Sequence, residues 1–318
     1  MELKGIHHIS SLTANAAGNL PFYRDILGMR LVKTTVNQDN PFYYHLFYGD
    51  ETGSPGSELT FFEIPNLAKN HAGTDSISLV SLLVSSEEAL DYWRSRFQEF
   101  GVEHDGISNR YGYSVLGFMD RDGHRMQLLS NPVSESNAWS GSSVPPAYAI
   151  HGLGPVQLTV KDAEATERFL EEILGFMKKD TWDEGKVRMF TTGSGGRGSE
   201  VHLLEQDGPK ERQGRGGVHH VAFRVSDEEE LDKWIDHLES HGVKTSGLID
   251  RHYFSSTYFN DPSGILFELA TDGPGFETDE TRDRLGRNLS LPPFLEARRE
   301  EIESKIKPLP EARREEGK

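Results

Sequence analysis

The sequence predicts an α+β protein made of four βαβββ modules in two tandem domains, followed by a C-terminal helix. Three observations lead there. The run Phe22-Tyr23-Arg24-Asp25-Ile26-Leu27-Gly28-Met29 is echoed by Phe169-Leu170-Glu171-Glu172-Ile173-Leu174-Gly175-Phe176 at an offset of 147, and Trp93 with Phe100-Gly101-Val102 by Trp234 with His241-Gly242-Val243 at an offset of 141. Repeats of this length mark duplicated structural units. Four acidic, helix-like stretches end at Gly28, Gly101, Gly175 and Gly242, the residue that closes helices because it takes left-handed backbone without a Cβ clash. Finally, β-rich runs stand before and after each of these stretches.

Taken in order, the modules open on the runs 6–12, 77–84, 156–160 and 218–225 and close on 59–64, 126–129, 201–204 and 266–269. They pair into halves spanning 1–135 and 150–272. Residues 132–146 are rich in Ser, Asn, Gly and Pro and read as a surface linker between them. Residues 273–318 form an extension. Within it 293–306 starts on Pro293 and spaces Leu295, Ile302 and Ile306 near the helical period, so it reads as a helix packed on the body. Residues 309–318 read as a frayed end.

Composition narrows the function. Against 34 Lys and Arg stand 51 Asp and Glu, a formal charge of -17 spread along the chain, which argues against nucleic acid and anionic membranes as partners. There is no cysteine, so disulfides, thiolate metal sites and cysteine nucleophiles are excluded and any metal must be held by His, Asp, Glu or water. No apolar run approaches the ~18 residues of a membrane span, and the opening apolar stretch is too short for a signal peptide. The expectation is a soluble cytoplasmic protein, with a homo-oligomer left open.

Two His-His pairs, His7-His8 and His219-His220, stand at the start of a module's first strand. Strand alternation sends neighbours to opposite faces, so one His of each pair points into a given cleft. A lone strand His is ordinarily a satisfied core or surface residue; two pairs at the same point of related modules argue for more. Glu268, between apolar residues on a closing strand, is costly to bury unless paired or bound to a cation, and would otherwise face solvent. The repeats supply a control. The offset of 141 puts Gln127 opposite Glu268 and Leu79 opposite His220; the offset of 147 puts Pro155 opposite His8. The third module's closing strand offers His202, and the first places Thr60 or Phe61 in that slot. Only the first and fourth modules together supply two His and one carboxylate, the facial triad of non-haem Fe(II) oxygenases, although the same donors suit catalytic Zn.

At these residues the chain resembles the vicinal oxygen chelate superfamily of glyoxalases and extradiol dioxygenases, and within it the ring-cleaving dioxygenases of the hydroquinone 1,2-dioxygenase type. The resemblance rests on Gly5-Ile6-His7-His8-Ile9-Ser10, His219-His220, Arg251-His252-Tyr253 through Tyr258 to Glu268, Gly275-Phe276-Glu277-Thr278-Asp279-Glu280 and Leu291-Pro292-Pro293. It implies Fe(II), or Mn(II), bound by His8, His220 and Glu268, with His7, Ser10, His219, Arg251 and Tyr258 near a small aromatic substrate that is opened with dioxygen. The expected rivals are a glyoxalase-like lyase or isomerase using Zn(II) or Ni(II), and a metal-free protein that binds an aromatic compound or drug. The first normally wants a fourth protein ligand where this chain has Thr60 or Phe61.

Overall fold

The computed structural model describes residues 1–132 and 137–310. Each predicted module is present. Module 1 runs β1 (Ile6–Thr13), α1 (Ala16–Leu20), β2 (Arg30–Asn37), β3 (Asn40–Gly49) and β4 (Glu58–Glu63); module 2 runs β5 (Ser76–Val84), α2 (Glu87–Phe100), β6 (His104–Arg110), β7 (Tyr113–Met119) and β8 (Arg125–Ser130). Module 3 runs β9 (Ile150–Val160), α3 (Ala163–Arg168), β10 (Met177–Trp182), β11 (Val187–Thr191) and β12 (Glu200–Glu205); module 4 runs β13 (Val218–Val225), α4 (Glu228–Ser240), β14 (Ile249–Asp250), β15 (Phe254–Asn260) and β16 (Leu266–Pro274). Asn15, Ser86, Asp162 and Asp227 cap the four helices by accepting from the backbone N–H three residues on. Gly28, Gly101, Gly175 and Gly242 all have positive φ, between 64° and 76°. In modules 1 and 3 the helix widens into a π-turn over the repeated Phe-x-x-x-Ile segment, Pro21–Ile26 and Phe169–Ile173, a feature the periodicity did not foretell.

The strands form two eight-stranded sheets, ordered β14-β15-β16-β13-β1-β4-β3-β2 and β10-β11-β12-β9-β5-β8-β7-β6. Each sheet takes one module from each half of the chain. The first strands meet antiparallel at its centre, β1 with β13 and β5 with β9. Within a half the modules meet through their helices instead. Arg96 on α2 donates to the Ile26 carbonyl at 2.8 Å, and His237 on α4 reaches the Ile173 carbonyl at 2.9 Å, the same joint made twice. One apolar core, with Phe22, Tyr23, Trp93, Phe97, Phe169, Trp234 and Phe267, runs through both sheets.

The extension straps the edge strand β2. Ser290 donates to the Thr34 carbonyl at 2.9 Å, and the fully buried Lys33 ammonium is held by Asp279 and Glu280, each at 2.6 Å. A buried ammonium tolerates this position because two carboxylates compensate it. The predicted single helix at 293–306 is two, α5 (Pro293–Glu296) and α6 (Arg299–Lys305), separated where Arg298 N–H bonds back three residues to the Leu295 carbonyl. Leu295 and Ile302 bury against Val36 as the spacing implied. Of the linker, 133–136 lie outside the described residues. The part from 137 lies along module 1, with Ser140 N–H on Glu51 and Arg96 on Ser143. Of the tail read as frayed, Leu309 packs on the core and 311–318 lie outside the described residues. No helix among the described residues is long and apolar enough to cross a membrane.

A buried histidine away from the sheet centres yields a stability test. His124 is held by Tyr23 and Ser11 and is lowered to about 3 by burial. The folded state keeps it neutral while the unfolded chain binds a proton below about pH 6.5, so its contribution is full above 6.5 and is lost as pH falls towards 3. Relative to His124→Gln, the wild-type protein should lose about 1.4 kcal/mol per pH unit within that window. Parallel pH dependences in urea unfolding would refute this.

Candidate metal centre

The site is built at the β1–β13 seam. The pairing runs Ile6↔Phe223, His8↔Ala222, Ile9↔Val221, Ser10↔His220, Ser11↔Val218, so His7 and His219 are each the extra residue of a bulge. A bulge re-aims a side chain and breaks strict alternation. Hence each leading imidazole lies beside its neighbour rather than on the opposite face: His7 Nδ1 is 3.0 Å from His8 Nδ1, and His219 Nδ1 is 2.8 Å from His220 Nδ1. Next to the seam, β16 runs parallel to β13 with Ala222 opposite Glu268, and β4 runs parallel to β1 with Ser10 opposite Thr60.

His8, His220 and Glu268 converge. His8 Nε2 lies 3.2 Å from His220 Nε2 and 3.2 Å from Glu268 Oε2, and His220 Nε2 lies 2.8 Å from Glu268 Oε2. All three are buried, at 2%, 2% and 0% exposure. Glu268 Oε1 has no hydrogen-bond partner among the described residues, and Oε2 meets only the two imidazoles. Burial alone would raise the Glu268 carboxyl, but His8 and His220, when they carry protons toward it, outweigh that and hold it well below the usual carboxylate range.

Bulged His7 fixes which His8 nitrogen is free. His7 Nε2 faces the Thr271 carbonyl at 3.1 Å, an acceptor only, so it carries the proton. Burial, then His8, lowers His7 to about 3, so the ring is neutral and its Nδ1 accepts from His8 Nδ1–H. A His8 ring with its one proton on Nδ1 presents the bare lone pair of Nε2 to the triad. His219, lowered to about 4 by burial and then by His220, meets His220 through the same pair of Nδ1 atoms, with no carbonyl among the described residues at its Nε2 to fix its tautomer. Two lone pairs and a carboxylate pointed at one another repel unless a cation lies among them, so the residues fit a divalent metal. A second close group, His7, His8 and Glu58, fits less well. Burial, then Asp50 and Glu268, pushes the Glu58 carboxyl well above its usual range, and a neutral acid is a poor ligand.

Of the expected residues, His8, Ser10, His220, Arg251 and Tyr258 line one cavity with Thr35, His45, Phe47, Phe62 and Phe254. Arg251 Nε donates to Tyr258 Oη at 3.2 Å. Burial would lower Arg251, but Tyr258 holds it up; burial, then Glu268, raises the Tyr258 phenol. His7 and His219 do not line this cavity: they stand behind His8 and His220, which they touch. His45 was not singled out from the sequence, because a single His in a strand carries no local signal. A larger cavity, about 500 Å³, lies in the other sheet around Leu79, Gln127, Gln157 and Arg110. It has no metal-donor cluster among the described residues.

Glu268→Gln should keep the fold and lose stoichiometric metal on anaerobic loading, because a neutral amide leaves the cation uncompensated. His7→Phe should retain all three ligands yet weaken metal about 10- to 100-fold, since the His8 tautomer is no longer held. Wild-type affinity in His7→Phe would remove that role.

Residues 5–128 and 152–269 match the family model for the Glyoxalase/Bleomycin resistance protein/Dioxygenase superfamily. The chain is 50% identical over 97% of its length to a Bacillus subtilis protein provisionally named ring-cleaving dioxygenase MhqA, of which it covers 100%. It is 29% identical to the chlorohydroquinone/hydroquinone 1,2-dioxygenase of Sphingobium indicum, covering 94% of this chain and 95% of that one. A crystal structure of a provisionally named dioxygenase from Bacillus subtilis superposes with a TM-score of 0.91 at 34% identity, over 97% of this chain and 98% of the other. With four βαβββ modules, two seams and a family model that matches both halves, the chain belongs to the Glyoxalase/Bleomycin resistance protein/Dioxygenase superfamily.

Proposed function

We propose that this chain is a ring-cleaving dioxygenase for hydroquinone-type aromatics that depends on Fe(II) held by His8, His220 and Glu268. The observation that carries the reading is the asymmetry of the donor set. Two imidazoles and one carboxylate share a face, while the position related to Glu268 holds the Thr60 hydroxyl. Such a set leaves positions open for substrate and dioxygen. The names of the Bacillus and Sphingobium relatives support the substrate class. Bound iron would supply Lewis acidity toward a phenolate and one-electron exchange with dioxygen.

The chain's own groups then have definite tasks. The Arg251 guanidinium remains cationic and offsets negative charge on the bound ring. By donating to Tyr258 Oη it turns the Tyr258 proton outward as a hydrogen-bond donor to substrate oxygen. Ser10 presents a second hydroxyl across the cavity, and His7 and His219 orient the ligands. The cavity is tight, about 40 Å³, room for water rather than an aromatic ring. The turn between β2 and β3 clasps it: Gln38 donates to the Arg251 carbonyl at 3.0 Å, and Asp39 lies 3.6 Å from the Arg251 guanidinium. Substrate entry requires this clasp to part.

Iron-loaded protein should consume one dioxygen per ring opened, need no added organic reductant and stop on chelation. Turnover of a methylglyoxal–glutathione adduct without oxygen would favour the lyase rival; stoichiometric aromatic binding without product would favour the binding protein. Tyr258→Phe should cut kcat about tenfold or more while metal content is unchanged. Unaltered kinetics would take Tyr258 out of the mechanism and leave the triad standing.

A further inference from the structure

The cavity wall opposite Tyr258 holds a chain of three polar groups that the roles above leave unexplained. Ser10 Oγ is 2.7 Å from Thr60 Oγ1, and Thr60 Oγ1 is 3.0 Å from His45 Nε2. Ser10 and Thr60 are fully buried. Ser10 and His45 both line the cavity, and Thr60 joins them from behind. The His45 ring is fixed between Phe47 and Phe62, each with its centroid 4.0 Å away. His45 Nδ1 has no hydrogen-bond partner among the described residues. Thr60 has one proton and two neighbours, so the chain has two neutral arrangements. In one, Ser10 donates to Thr60, Thr60 to His45 Nε2, and Nδ1 carries a proton. In the other, Nε2–H donates to Thr60, Thr60 to Ser10, and Ser10 donates into the cavity.

We propose that Ser10, Thr60 and His45 form a proton relay that ionises a substrate hydroxyl at the Ser10 end and exchanges the proton with solvent at His45 Nδ1. The proposal rests on the aromatic-substrate reading. In the outward passage the substrate O–H bond breaks and its proton goes to Ser10. The Ser10 proton passes to Thr60, the Thr60 proton to Nε2, and the Nδ1 proton to water. One proton enters and one leaves, no electrons move, and no member keeps a charge. That suits His45, whose burial, followed by the nearby His8, His220 and Arg251, disfavours the imidazolium. The chain ends reversed, with Ser10 donating to the new phenolate. The reversed chain is the arrangement needed to return a proton to product.

The position of Thr60 strengthens the inference. Ser10 opposite Thr60 repeats Ala222 opposite Glu268 across the seam, so the relay occupies the place where a symmetric site would have a second carboxylate. A hydroxyl there passes a proton where a carboxylate would bind metal.

The test is Thr60→Val, which removes the hydroxyl and keeps the shape, with Thr60→Ser as the conservative rescue and His45→Phe breaking the other end. Each protein is loaded anaerobically with Fe(II) and its metal content measured. A nitro-substituted hydroquinone is then bound without oxygen, so that its absorbance reports ionisation. Wild type and Thr60→Ser should bind the ionised form. Thr60→Val and His45→Phe should bind it less ionised, with metal content intact, kcat down about tenfold or more and a reduced solvent deuterium effect. Wild-type spectra and rates in both relay variants would overturn the relay while leaving the dioxygenase reading in place. If the wild-type protein neither binds nor turns over hydroquinones, the substrate reading falls and takes the relay with it.

Discussion

The antiparallel pairing of β1 with β13 about Ile9 and Val221 is the constraint on which the site depends. Residues 212 apart in sequence are brought to 3.2 Å because the two strands share a local twofold relation. His8 maps onto His220, Ser10 onto Ala222, and each bulged leading histidine onto the other. Parallel pairing of the closing strands carries Glu268 and Thr60 to matching positions, and β15 and β3 place Tyr258 and Phe47 opposite them. Symmetry supplies the two imidazoles; its breaking, Glu268 against Thr60 and Tyr258 against Phe47, supplies an open face and two unlike walls.

The second sheet shows how little of this follows from fold alone. The β5–β9 seam repeats the geometry about Val80 and Val156, with Ser81 opposite Gln127 and Gln157 opposite His202. The ligand slots hold Leu79, Pro155, Gln127 and His202 there. His202 is spoken for by Glu200, which also accepts from Tyr113 and pairs with Lys179. Those polar groups satisfy one another and call for no cation, whereas among the described residues Glu268 has no donor beyond two imidazoles. The scaffold is common to both seams, and the chemistry lies in four side chains per cleft.

Much of this was legible in the chain because the relevant signals are local. Glycine caps and a repeated Phe-x-x-x-Ile-Leu-Gly segment announce the modules, and Glu268 between apolar neighbours announces a buried carboxylate. The partnership of modules 1 and 4 was readable only indirectly, from the loss of ligand types at Leu79, Gln127 and Pro155. Bulges were not readable, since they depend on a register between distant strands. Alternation alone would send His7 and His219 to the face opposite His8 and His220, and the bulges bring them beside those rings instead. His45 escaped for a related reason: its meaning comes from Thr60 and Ser10 on neighbouring strands. The break at Arg298 in the terminal helix depends on how Leu295 and Ile302 settle against Val36.

The bulges also bear on how the centre tolerates burial. Three donors at 0 to 2% exposure would be costly as a set of bare lone pairs and a lone carboxylate. A cation among them, or a proton shared between His220 and Glu268 at 2.8 Å, relieves that cost, and only one of the two can occupy the space. A metal bound here would therefore displace a proton, and its affinity would rise with pH until that proton is gone. Bulged His7 tilts this competition toward the metal. By accepting at Nδ1, His7 draws the His8 proton away from the triad, and its own burial keeps it neutral enough to go on accepting.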